Sequence, residues 1–124
     1  MKTFGQHFQS GDWKGEKHVP IIHAPDKVRA GENFELKVSV GDDIPHPNSL
    51  EHYIAWAKVY FIQEAGKFPV ELGDFRFTAH GEGGNFTEPL ALMKVNLEES
   101  GTIYAISYCN IHGLWENSKK IIVE

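Results

Sequence analysis

Apolar and polar residues alternate along much of the chain, with the period of two that is typical of β-strands. Between residues 34 and 40 the apolar side chains are separated by Glu35, Lys37 and Ser39, which predicts a half-buried strand. Residues 53–62 are apolar on both parities and rich in aromatic and β-branched side chains, which favours a strand buried on both faces over a helix. Further strands are predicted around Phe75 and Phe77 and over residues 90–97, 102–108 and 119–123.

Glycine and proline interrupt this pattern at short intervals. The chain contains 12 Gly and 6 Pro, a spacing of breakers that favours short strands joined by turns. No stretch has the period of a convincing amphipathic helix, and there is no internal repeat. The pattern therefore predicts an all-β fold, an immunoglobulin-like β-sandwich of about seven strands, with a small barrel as the main alternative.

Length and charge narrow the classes of function. The 124 residues are expected to form one domain, residues 1–124. A net charge of −5 argues against binding to nucleic acid or to an anionic membrane, because such surfaces require clustered Lys and Arg. One cysteine makes no disulfide within the chain, and no apolar run resembles a signal peptide or a membrane span. A cytoplasmic location is the expectation.

Seven histidines are many for a chain of this size and point to metal chemistry. Cys109 and His112 lie just after a predicted strand, where the chain must turn, and two side chains three residues apart in a turn can chelate one ion. This pair alone is equally consistent with a buried structural thiol, since free cysteine is among the most buried residue types.

Two further clusters strengthen the case for a metal. His46 lies between Pro45 and Pro47, which stiffen the backbone around it, and His52 follows six residues later. His18 precedes a short apolar stretch, so it can lie at the rim of a sheet. The three clusters offer four imidazoles and one thiolate, which is one donor more than a structural zinc site uses. A redox metal, with iron the best candidate, fits five donors and an open sixth position.

Several segments together resemble the superoxide reductase family in its one-iron form, neelaredoxin. They are residues 16–20 (EKHVP), 44–48 (IPHPN), 51–52 (EH), 78–82 (TAHGE) and 107–116 (SYCNIHGLWE). The resemblance begins at residues 10–13 (SGDW) and runs to the C-terminus, so residues 1–9 are expected to be a variable N-terminal extension. Larger relatives carry an additional rubredoxin-like iron domain held by several cysteines, for which a chain with one cysteine lacks the ligands.

The resemblance implies one mononuclear non-haem iron per chain that cycles between Fe2+ and Fe3+. In the family, four imidazoles form the base of a square pyramid and a thiolate forms its apex. Matched residue by residue, these ligands are His18, His46, His52, His112 and Cys109. The implied activity is the one-electron reduction of superoxide to hydrogen peroxide, which makes the chain an oxidoreductase.

The resemblance also implies roles for two neighbours and for partners. Glu16 matches the removable sixth ligand of the oxidised iron, and Lys17 matches the cation that attracts superoxide and aids protonation. The electron donor is expected to be rubredoxin or a similar small protein, and the chain is expected to be a homo-oligomer, with a tetramer favoured. Such an enzyme detoxifies superoxide in anaerobes under oxidative stress.

The remaining histidines and aromatic residues have plainer interpretations. Structural or solvent-exposed roles are expected for His7, His23 and His80. Packing or shielding of the site is expected for Trp13, Trp56, Tyr108 and Trp115.

Two other classes of function are consistent with a β-sandwich of this kind. A blue-copper electron carrier also uses a Cys-x-x-His turn, but it needs a weak axial Met soon after the last His, and here the only methionines are Met1 and Met93. It also leaves two histidines unexplained. An adhesive immunoglobulin-like module with incidental histidines is the other alternative, and metal content separates all three.

Overall fold

The computed structural model describes all 124 residues and contains eight β-strands and two 3-10 helices. The strands are β1 (Pro20–His23), β2 (Lys27–Val28), β3 (Phe34–Val40), β4 (Ile54–Gln63), β5 (Val70–Arg76), β6 (Leu90–Val95), β7 (Gly101–Cys109) and β8 (Gly113–Val123). The 3-10 helices cover Phe4–His7 and Glu82–Gly84. None of the helical segments has the length and apolar character needed to cross a membrane.

The strands form two sheets. The smaller has the order β1-β3-β6, and the larger has the order β2-β8-β7-β4-β5. Every pairing is antiparallel except that of β2 with β8. The predicted all-β sandwich is confirmed. The strands number eight rather than about seven. The segments predicted as strands include neither β1 nor β2, because four and two residues are too few to leave a clear periodic signal in the sequence.

The core lies between the two sheets and is built by alternate side chains of each strand. Leu36 and Val38 of β3 face Val59 of β4 and Ile103 of β7 across one apolar cluster, and all four have no exposed surface. The prediction that the strand over residues 53–62 is buried on both faces is wrong for its outer face. There Trp56 and its neighbours are only half-buried, because no third layer covers the larger sheet.

One end of the sandwich collects the segments with the candidate chemistry, and we call it the ligand end. Strands β3 and β7 end there while β1, β4 and β8 begin there, as the pairs Pro20–Val40, Ile54–Cys109 and Cys109–Gly113 show. The buried hydroxyl of Ser107 donates to the carbonyl of His18 at 3.0 Å. This bond ties the segment before β1 to β7 of the opposite sheet.

The first residues reach the same end along the part of the β8 edge that β2 does not cover. Gln9 forms an isolated parallel bridge with Trp115, in which its N–H donates to Leu114 O at 2.9 Å and its carbonyl accepts from Glu116 N at 2.8 Å. The Gln9 side chain donates to His112 O at 2.9 Å. The segment that the sequence predicts to be a variable extension therefore ends in a backbone contact beside the ligand end.

Candidate metal centre

Three contacts, made by Trp115 and Glu16, hold His18 in one orientation. It precedes β1, is 6% exposed, and stacks on Trp115 with ring centroids 4.8 Å apart and planes inclined by 12°. The Glu16 carboxylate accepts from His18 N at 3.1 Å and lies 2.5 Å from His18 Nδ1. A carboxylate at Nδ1 fixes the proton on that nitrogen, which leaves Nε2 with a free lone pair.

His46 and His52 lie on the irregular segment 41–53 that joins β3 to β4. His46 Nδ1 donates to Pro47 O at 2.7 Å, so its Nε2 also carries a lone pair. The hydroxyl of Ser49 accepts from His52 N at 3.2 Å, and Ser49 N donates to His52 O at 3.0 Å, which closes a small loop around His52. The two prolines and this loop hold the segment without a sheet ladder.

Cys109 and His112 occupy the turn between β7 and β8. The Cys109 thiol is fully buried, and His112 N donates to Sγ at 3.4 Å. His112 Nδ1 lies 3.8 Å from Sγ. Gly113 follows with φ of +82°, a left-handed conformation that allows the chain to enter β8. His112 is the most exposed of the candidate ligands, so the cluster reaches the surface on this side.

The five predicted donors converge. One ligand atom each from His18, His46, His52 and Cys109 lie within 4.8 Å of one another. His112 completes the group, with its Nδ1 3.1 Å from His18 Nε2 and its ring centroid 5.0 Å from that of His52. The structure thus brings together donors that are up to 94 residues apart in the sequence.

The donor atoms have the environment expected of metal ligands. Nε2 of His46 and Nε2 of His52 are buried without any hydrogen-bond partner. Such orphaned groups cost about 1–3 kcal/mol each and are rare in folded proteins. Lone pairs of neutral imidazoles facing a thiol are satisfied together by one cation, so the residues fit a bound metal ion.

The local electrostatics keep these imidazoles neutral. Burial lowers the pKa of His46 from 6.5 to about 4 and also lowers the pKa of His52. The positive charge of Lys17 acts on both in the same direction. The neutral imidazole is the form that binds a metal, so the two rings need not lose a proton first at neutral pH.

Glu16 and Lys17 both lie at the ligand end, but Glu16 does not point towards the lone pairs. Its carboxylate is paired with Nδ1 of His18, and this hydrogen bond lowers its pKa. The Glu16 side chain is 32% exposed. Lys17 is half-buried, and its charge affects the pKa of Glu16, His46 and His52.

The other histidines lie outside the cluster. His7 is exposed in the first 3-10 helix, and His23 Nε2 lies 3.0 Å from Asp42 Oδ2 and 3.1 Å from Ser39 Oγ. His80 is 7% exposed, with Nδ1 2.9 Å from Asn48 Oδ1 and its ring stacked at 3.8 Å on Tyr53. His80 therefore braces the segment that carries His46 and His52, in agreement with a structural role.

Sequence reasoning missed the residues that hold the ligand loops in place. Ser107 and Asn110 each bind a backbone group of another ligand-bearing segment. Asn48, which lies between His46 and His52, binds the His80 ring. The only local signal was a polar residue beside a ligand or in a strand. Nothing in the sequence says which distant carbonyl or amide it meets.

Comparisons with known proteins find sequences that are similar over most of the chain. Residues 10–118 match the family model of desulfoferrodoxin. The chain is 51% identical over 120 residues to a protein named putative superoxide reductase from Thermotoga maritima, covering 91% of this chain and 92% of the relative. It is 49% identical over 116 residues to a superoxide reductase from Pyrococcus furiosus, covering 88% and 91%.

Solved structures show the same fold at full length. The crystal structure of the putative superoxide reductase from Thermotoga maritima superposes with a TM-score of 0.97 at 46% identity, covering 100% of this chain and 99% of the other. The neelaredoxin from Archaeoglobus fulgidus, in the reduced form, superposes with a TM-score of 0.85 at 46% identity and covers 93% and 98%.

Proposed function

The chain belongs to the desulfoferrodoxin family, and from that membership we propose that it is a superoxide reductase that converts superoxide to hydrogen peroxide. The overall reaction combines one superoxide, one electron and two protons to give one hydrogen peroxide. The observation that carries the proposal is the pair of buried, unpartnered Nε2 atoms of His46 and His52, which converge with the Cys109 thiol at the ligand end.

The proposed cofactor is one mononuclear iron per chain. Its ligands would be His18, His46, His52 and His112 through imidazole nitrogen and Cys109 through sulfur. Four nitrogens and one sulfur exceed the four ligands of a structural zinc site and leave room for a small anion. Bound iron supplies the one-electron couple, and thiolate ligation donates electron density to it.

The protein's own groups prepare this site. The Glu16 carboxylate and the Trp115 ring hold His18 with Nε2 towards the cluster. The His112 N–H donates to Cys109 Sγ, and such a bond withdraws charge from a thiolate and tunes its donor strength. Burial keeps His46 and His52 neutral, because it lowers the pKa of both.

Lys17 and Glu16 are proposed to act at the position on the iron that the five protein ligands would leave open. The Lys17 ammonium is proposed to attract the superoxide anion and to aid its protonation, and its effect on the pKa of His46 and His52 supports this placement. Glu16 is proposed as the removable ligand of the oxidised centre. Its carboxylate must leave Nδ1 of His18 to take that role, and its 32% exposure leaves it room to move.

An external electron donor is required in each cycle, since one iron stores one electron and the 124 residues contain a single cysteine. We propose rubredoxin or a similar small redox protein as this donor. We also propose a cytoplasmic enzyme that assembles as a homotetramer. Rubredoxin oxidation under a superoxide flux tests the donor, and sedimentation equilibrium tests the assembly.

The blue-copper alternative explains less of the site. The turn of Cys109 and His112 and one further histidine would suffice for it, whereas two more imidazoles join the cluster here. Met93 lies in β6 and packs against the core. Met1 is fully exposed.

The activity is tested by supplying superoxide anaerobically and measuring peroxide and oxygen, with and without reduced rubredoxin. A reductase yields one peroxide per superoxide and no oxygen, whereas a dismutase divides superoxide equally between the two products.

The iron-loaded protein should show a thiolate-to-ferric charge-transfer band in the red. Cys109→Ser should abolish the band and the activity, and His7→Ala, an exposed histidine outside the cluster, should change neither. Oxygen formed in equal amount to peroxide, or intense blue copper absorption, would contradict the proposal.

A further inference from the structure

The segment that carries His46 and His52 has no ladder of its own to keep it in register with Cys109. Residues 41–53 form neither strand nor helix, and the irregular backbone there depends on a few specific hydrogen bonds. The ladder between β4 and β7 begins with the pair Ile54–Cys109. His52 precedes β4, so no strand pairing spans the gap between the His52 segment and Cys109.

Asn110 bridges the gap with three hydrogen bonds. Its Oδ1 accepts from Tyr53 N at 2.9 Å, and its Nδ2 donates to Glu51 O at 2.9 Å. Its backbone N–H donates to Tyr53 O at 3.2 Å. One residue next to the thiol therefore holds the residues on both sides of His52.

We infer that Asn110 is a positioning residue that sets His52 relative to Cys109, an inference that rests on the proposed metal site. Its two side-chain bonds are made to the backbone of the His52 segment, so it acts on the centre only through the two ligands it connects. An amide is the side chain the position requires, because it offers an acceptor for Tyr53 N–H and a donor for the Glu51 carbonyl at once. A carboxylate offers the acceptor but places a second oxygen against that carbonyl.

The hydrogen bonds of Asn110 affect a bound metal by fixing the position of His52 relative to the other ligands. Ligands must be held within about 0.5 Å of their productive positions, and His52 Nε2 is one of the two atoms with no other partner. Without the bridge, the His52 segment can move against the turn of Cys109 and His112. An ion held by His52 and Cys109 would then dissociate faster, and its bond to the sulfur would change because one of its imidazole ligands is displaced.

The test compares iron-loaded wild-type protein with Asn110→Ala and Asn110→Asp. Asn96→Ala is the matched control, since Asn96 also uses its amide for two hydrogen bonds, to Gly31 O at 2.8 Å and Asn33 Oδ1 at 3.1 Å. It lies beyond β6, at the opposite end of the sandwich. The measurements are the rate of iron release to excess chelator, the thiolate-to-ferric charge-transfer band and the melting temperature of the metal-free protein.

For Asn110→Ala we expect iron release to be faster by about 10–100-fold and the charge-transfer band to shift or weaken. Asn110→Asp should show the same changes to a smaller degree, because it keeps one of the two side-chain bonds. Asn96→Ala should retain the band and the release rate. A merely structural role would lower the melting temperature of the metal-free protein and leave the band unchanged.

The inference is overturned if release and band in Asn110→Ala match those of Asn96→Ala. If the alanine variant does not fold, Asn110→Asp provides the test. An iron-release rate and a charge-transfer band equal to those of the wild type in Asn110→Asp would then overturn the inference. A wild-type protein that binds no iron, or shows no thiolate band, contradicts the proposed function instead. The two failures are therefore distinguishable.

Discussion

Lys17 places a positive charge beside the cluster of a protein whose net charge is −5. An anionic substrate responds to the field at the site, and a local cation with a low-dielectric wall concentrates that field. The half-buried position of Lys17, directly before His18, suits it to this task. The charge near the cluster, rather than the net charge of the protein, should therefore govern the rate at which superoxide associates with the site.

Replacing Lys17 by Ala should lower the second-order rate constant with superoxide by roughly tenfold or more and reduce its dependence on ionic strength. Pulse radiolysis over a range of salt concentrations measures both. Lys17→Arg should preserve the salt dependence. Lys14→Ala, which removes an exposed cation lying over Trp13, should leave the rate unchanged. An unaltered rate and slope in Lys17→Ala would show that another group steers the anion.

Replacing Glu16 by Ala should tighten the binding of azide to the oxidised protein several-fold. If the carboxylate occupies the sixth position, it competes with an exogenous anion for that position, and its removal lifts the competition. Titration of the visible spectrum with azide measures the affinity. Glu82→Ala is the control, because Glu82 also accepts from a nearby backbone N–H, at 2.7 Å from His80 N, outside the cluster. Equal azide affinity in Glu16→Ala and wild type would remove Glu16 from the sixth position.

The metal-free protein should lose stability as the pH falls from about 6.5 to about 4. Burial lowers the pKa of His46 from 6.5 to about 4, so in this window the unfolded chain binds a proton that the folded chain does not. The stabilising contribution is present above the unfolded pKa and is lost on the way to the folded one. The lowered pKa of His52 acts in the same direction.

Urea unfolding of the metal-free protein at a series of pH values measures this loss. His46→Gln removes one of the two titrating groups and should reduce the slope of the curve across the window, with His52 still contributing. His7→Gln, at an exposed position, should not. The same slope in His46→Gln and wild type would assign the pH dependence to other groups.

Among the elements, the connection between β3 and β4 depends on a glycine at its first position. Gly41 has φ of +87°, and a Cβ there would lie 2.6 Å from His46 N. Both the left-handed backbone and the close approach require the absence of a side chain. Gly41 thus lets the chain leave β3 and present His46 to the cluster.

Gly41→Ala should destabilise the protein by about 1–3 kcal/mol and should speed iron release, because the clash displaces the backbone of His46. Urea unfolding and chelator competition measure the two effects. Gly31→Ala is the matched control, with φ of +77° and only the Glu98 carboxylate near a Cβ, at 3.7 Å. It should cost less stability and leave iron release unchanged. Equal iron release in the two variants would show that Gly41 does not position His46.

At the scale of the whole molecule, the cluster joins segments that are distant in sequence. Donors on both sides of the chain's midpoint, from His18 to His112, meet at one end of the sandwich. An ion bound there cross-links the segment before β1, the connection between β3 and β4, and the turn between β7 and β8. The folded state alone assembles these donors, so metal binding stabilises it by linkage.

Removal of the metal should therefore lower the melting temperature. Free metal at a thousand times its dissociation constant stabilises the folded state by about 4 kcal/mol. Calorimetry of loaded and chelator-stripped protein measures the difference, which should become smaller in Cys109→Ser, because one of the five donors is lost. Coincident melting temperatures in the wild-type protein would mean that the ion does not bridge the segments.

Much of the fold was predictable because it depends on local periodicity. The alternation around Leu36 and Val38 predicted β3, and the apolar run that includes Val59 predicted β4. The two-residue β2 was not predicted, because its pairing with Ile122 and Val123 depends on a partner about 95 residues away in the sequence. Burial on both faces of β4 was wrongly predicted, because Trp56 packs beside Tyr108 on an outer face that no other layer covers.

The amino-acid sequence alone establishes which donor atoms exist and that each lies in or beside a turn, because residue type and the spacing of Gly and Pro are local properties. Tertiary structure alone decided that Nε2 of His46 and His52 are left without partners, and that Asn110 reaches across to the residues flanking His52. It also placed the Glu16 carboxylate against Nδ1 of His18. Hydrogen bonds of this kind depend on the register of strands and on the paths of loops between them, and those are settled only when the two sheets pack.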